Sequence, residues 1–132
     1  MTAAVFARSL VVVVCGESRE DTRDLEDSLH SMGFTVTRYA RCDQAITFPP
    51  PKMDEVHLVI AGCAFEHGVA GGEAVETLYR HFLGVPLALL ADPGDDTADR
   101  LGSAYGFPVV KRPVQQDQLA RVLVMAHVNR VP

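Results

Sequence analysis

The sequence has no tryptophan, only three cysteines and few aromatic residues (7%) among its 132 positions. Three cysteines cannot close a paired disulfide framework, and Cys15, Cys42 and Cys63 show no Cys-x-x-Cys spacing, so a reducing, cytoplasmic setting is expected. The longest unbroken apolar run, Leu10 to Cys15, is far short of the roughly 18 residues that span a bilayer, so no membrane segment is expected. Residues Met1 to Arg8 lack a basic leader followed by a long apolar stretch, which argues against a signal peptide. Twelve basic residues stand against seventeen acidic ones, for a net charge of −5, and this excludes a general affinity for nucleic acid. There is no internal repeat and no low-complexity tract. What remains is 48% hydrophobic and 22% charged, the balance of one folded domain over residues 1–132.

Within that domain, β-rich runs alternate with helical patterns. Leu10-Val-Val-Val-Val-Cys15 is an unbroken β-branched run suited to a strand buried on both faces. Arg19 to Met32 predicts a helix, with Leu25, Leu29 and Met32 on one side, Ser18 as N-cap and Gly33 as its stop. Phe34 to Tyr39 predicts a second strand. Asp43 to Phe48 predicts a turn or two of helix, which Pro49-Pro50-Pro51 ends. Val56 to Ala61, Val85 to Ala91 and Phe107 to Val110 predict three further strands. The pattern places helices over Glu73–Phe82, Asp95–Tyr105 and Gln115–His127. A Gly-rich loop from Gly62 to Gly72 separates the third strand from its helix. Five such βα units imply a parallel sheet covered on both faces, with chemistry outside the carboxyl ends of the strands.

Over about residues 9–128 this order resembles the receiver domain of the response regulators of bacterial two-component signalling. The resemblance lies in element lengths and in the junctions Ser31-Met-Gly-Phe34, Pro86-Leu-Ala-Leu-Leu90 and Lys111-Arg-Pro113. It implies a flavodoxin-like (βα)5 three-layer α/β sandwich with strand order 2-1-3-4-5. It also implies a site that this chain has altered. The two acids that hold Mg²⁺ in a receiver fall at Gly16 and Glu17, and the phosphoacceptor Asp at Gly62. The hydroxyl residue after the fourth strand falls at Ala91, and the Lys before the last Pro at Arg112. Gly62 offers no carboxylate nucleophile, Gly16 removes part of the oxygen shell Mg²⁺ prefers, and Arg112 keeps the charge but changes its reach. The pattern is that of a degenerate receiver, or pseudo-receiver. Glu66 and Asp92 lie nearby, but a solvated loop acid and a turn-forming Asp-Pro-Gly account for them. The resemblance further implies a cis bond between Arg112 and Pro113.

The assumed strand order brings Cys15, Cys42 and Cys63 to the carboxyl edge, where His67 could join them. Thiolates with a histidine suit Zn²⁺, an Fe–S cluster or a redox switch, whereas small buried cysteines need no such role. A phosphocysteine at Cys15 is disfavoured by the three acids of Gly16-Glu-Ser-Arg-Glu-Asp21, and Asp21 breaks the phosphatase spacing of Cys, five residues, Arg. His30, His57, His81 and His127 have no metal-ligand spacing and read as structural or exposed.

The expected function is a stand-alone, non-enzymatic regulator without cofactor, not phosphorylated on Asp, that contacts a signalling protein such as a histidine kinase. Its expected docking face joins the fourth helix, fifth strand and last helix through Asp99, Tyr105, Lys111, Gln115, Gln118, Arg121 and Val122. In receivers that face also supports homodimers. The alternative is a redox, metal or Fe–S sensor built on the three cysteines.

Overall fold

A run such as Leu-Val-Val-Val-Val has side chains for two apolar faces and none for water, so it must lie between two layers. In a computed structural model, which describes residues 10–14, 23–62, 71–82, 84–94 and 96–129, this run is the buried strand β1 (Leu10–Val14). Then follow α1 (Arg23–Ser31), β2 (Thr35–Tyr39), α2 (Cys42–Thr47), a 3-10 turn (Met53–Glu55) and β3 (Val56–Ala61). The order continues with α3 (Gly71–His81), β4 (Leu87–Ala91), α4 (Asp96–Tyr105), β5 (Val109–Lys111) and α5 (Gln116–Asn129). The strands pair in parallel in the order β2-β1-β3-β4-β5. This is the expected three-layer α/β sandwich.

Alternation along the strands divides the core between the two faces. Val11, Val13, Ile60, Ala88 and Leu90 pack with Leu25 and Leu29 of α1 and with Leu119, Leu123 and Ala126 of α5. Val12, Val14, Val59, Ala61 and Leu89 pack with Ala45 of α2 and with Val75, Leu78 and Phe82 of α3. At about 25 cal/mol per Å² of apolar surface, these two clusters are the main source of stability.

Where element ends differ from the sequence pattern, backbone hydrogen bonding gives the reason. Strand β4 opens at Leu87 rather than Val85, because the Val85 N–H turns back to the Phe82 carbonyl (2.9 Å) and Pro86 has no N–H. The expected fifth strand began at Phe107, yet that residue closes α4: its N–H reaches the Gly102 carbonyl at 3.0 Å across Gly106, whose φ is 76°. Phe34 closes α1 in the same way, its N–H bonded to the Leu29 carbonyl (3.0 Å) across Gly33. Strand β2 therefore begins one residue later than expected. The expected Ser18 cap and the residues from Arg19 to the start of α1 lie outside the described residues.

One irregularity re-aims a side chain. The β1–β3 register slips by one residue, pairing Leu10 with Val56 but Val11 with Leu58. His57 is the extra residue of this bulge. It is 1% exposed, with Nε2 2.9 Å from the Leu123 carbonyl of α5 and its ring 5.4 Å from that of Phe34. The histidine is thus a structural link between β3 and α5.

Candidate functional site at the carboxyl edge of the sheet

Parallel strands end side by side, so the residues just beyond β1, β3, β4 and β5 share one edge. Gly62 is buried there, and its N–H donates to the Val14 carbonyl at 2.7 Å, continuing the β1–β3 ladder by one bond. Ala91, fully buried, accepts the Arg112 N–H on its carbonyl at 2.9 Å. The edge is thus held by backbone bonds. Gly62 carries no side chain and Ala91 only a methyl group, so neither offers a nucleophile or a hydroxyl.

The charged groups of this edge come from the ends of β4 and β5. Arg112 Nη1 lies 3.1 Å from Asp92 Oδ1, with the guanidinium mostly covered and the carboxylate mostly exposed. Asp92 therefore does more than form the turn expected of Asp-Pro-Gly: it balances the cation at 112. The Arg112–Pro113 bond is cis, as expected. Mg²⁺ needs an octahedron of oxygens and takes carboxylates in preference to other side chains. Gly62 supplies none and Asp92 is engaged by Arg112. Among the described residues, no three His, Cys, Asp or Glu side chains gather as a metal site. Gly16, Glu17, Cys15, Cys63, Glu66 and His67 lie outside the described residues. Cys42 opens α2, just beyond the end of β2.

The expected docking face is only partly a free surface. Lys111 Nζ bonds Asp99 Oδ2 at 3.0 Å and ties β5 to α4. Gln118 Nε2 reaches the Val109 carbonyl at 3.4 Å, Arg121 lies 3.6 Å from Asp117 within α5, and Gln115 is exposed. Val122 does not belong to this face. It is 5% exposed and packs with Leu119 and Leu123 against the sheet, because it continues the apolar stripe of α5. Tyr105 is 44% exposed, stacks on Phe107 with ring centres 5.4 Å apart, and donates its hydroxyl to Glu76 Oε2 of α3 at 3.2 Å. That hydrogen bond, then the charge of Glu76, raises the phenol pKa above its ordinary value.

Sequence reasoning missed a crevice of about 260 Å³ at the opposite, amino-terminal end of the sheet, walled by Tyr79, Tyr105, Phe107, Val122 and Met125. The signal was present in the helices: Tyr79 and Met125 are apolar positions that the fold leaves 40% and 47% exposed.

No protein-family model matches the chain, and no curated protein matches it. Solved structures do match. A response regulator from Thermotoga maritima is 21% identical, covers 92% of this chain and 99% of its own, and superposes with a TM-score of 0.74. A response regulator receiver domain protein from Clostridium thermocellum is 13% identical, over 91% of this chain and 94% of its own, with a TM-score of 0.74. A receiver domain from Saccharomyces cerevisiae, co-crystallised with the histidine phosphotransfer signalling protein Ypd1, is 12% identical over 93% and 91%, with a TM-score of 0.67. The chain has a receiver-domain fold. At such identities the likeness establishes the receiver fold and leaves the activity to the side chains.

Proposed function

We propose that this receiver-fold chain is a non-enzymatic cytoplasmic regulator that is not phosphorylated on Asp and acts by contact with a signalling partner, such as a histidine kinase. The observation that carries this reading is Gly62, where the resemblance puts the phosphoacceptor: a buried glycine bonded to Val14 at the end of β3. Acyl-phosphate formation needs a carboxylate oxygen as nucleophile, and glycine has none. Ala91 and the Arg112–Asp92 pair support the same reading, since the alanine has no hydroxyl to follow a phosphate and the arginine's charge is balanced by a carboxylate. A receiver domain of this fold from yeast has been co-crystallised with a histidine phosphotransfer signalling protein, which supports contact as the mode of action. Asp99, Tyr105, Lys111, Gln115, Gln118 and Arg121 are the side chains proposed for contact with a partner or a second copy.

Incubation with acetyl phosphate and Mg²⁺, followed by intact-mass measurement, tests the central point. The mass is expected to stay unchanged. A hydroxylamine-labile gain of about 80 Da, the signature of an acyl phosphate, overturns the proposal. Affinity capture from the source cell, read by mass spectrometry, identifies the partner.

A further inference from the structure

We draw no further inference here: the strongest candidate, the crevice of about 260 Å³ walled by Tyr79, Tyr105, Phe107 and Met125 at the amino-terminal end of the sheet, is an unpartnered apolar surface, and nothing in the structure shows what covers it.

Discussion

Replacing Gly102 by Ala sets two physical effects of opposite sign against each other. Gly102 lies inside α4, where helix propensity favours alanine by about 0.8–1.0 kcal/mol. Helix α4 also rests on β5 at this residue, and a Cβ there would lie 2.8 Å from the Phe107 carbonyl oxygen and 2.8 Å from Val109 Cγ2. Neither neighbour can swing away. One is backbone, in a carbonyl that precedes Pro108, and the other belongs to a β-branched side chain with restricted χ1. Relief must come from a shift of α4, which strains the Phe107 N–H bond to the Gly102 carbonyl and the Lys111–Asp99 ion pair. Overpacking of this kind costs about 1–3 kcal/mol, and with a backbone atom in the contact the upper part of that range applies. The net effect is a loss of about 1–2 kcal/mol, or a fall in Tm of about 4–10 °C for a chain of this size. Thermal and urea melts of Gly102→Ala measure it. Ser103→Ala, at an exposed position of the same helix, isolates propensity and should raise stability by a few tenths of a kcal/mol. If Gly102→Ala melts at or above the parent, the seating of α4 on β5 is looser than the packing argument requires, and that argument fails.

The remaining expectations concern buried and hydrogen-bonded groups. His57→Ala empties a site in the β3–α5 interface and should cost about 2–4 kcal/mol, whereas His57→Leu, which keeps most of the volume, should cost about 1 kcal/mol. Urea melts separate the two, and equal losses would mean that the lost hydrogen bond, rather than the lost volume, dominates. For Tyr105, folding raises the pKa of a neutral donor, so the hydrogen bond to Glu76 contributes at neutral pH and is lost as pH rises through the raised value. In Glu76→Gln the phenol should titrate at lower pH, as followed by ultraviolet difference spectra with Tyr105→Phe as the blank. An unchanged titration would show that Glu76 is not the cause.

How far the fold was legible depended on which force placed each element. Strands β1, β3 and β4 are apolar runs that only a doubly covered sheet accommodates, so Leu10–Val14, Val56–Ala61 and most of Leu87–Ala91 could be read directly. Gly33 marked the end of α1 because the chain needs a positive φ there. The starts of β4 and β5 were misplaced because Val85 and Phe107 are apolar residues suited to strands, and nothing local reveals that their N–H groups close the preceding helices. The bulge at His57 was illegible for a related reason: a one-residue register slip is decided by the partner strand. Val122 had the spacing of both the apolar stripe and the expected docking face, and burial against the sheet settled it as core. For Tyr105, the partner sits twenty-nine positions away in α3, a contact that no local pattern announces.

The carboxyl edge shows the same division between what backbone and side chains contribute. The bonds that close it, Gly62 N–H to Val14 and Arg112 N–H to Ala91, use main-chain atoms and tolerate any side chain that fits. Acidic side chains gathered on a buried edge would cost desolvation and mutual repulsion, which a bound cation or a nearby base must offset. Gly62 and Ala91 bring no charge to that edge, and the one guanidinium described there is balanced by Asp92. At these described positions the strand ends are therefore held together by main-chain bonds. In the proposed regulator, what remains for a partner to recognise is the shape and charge of the surrounding helices and loops.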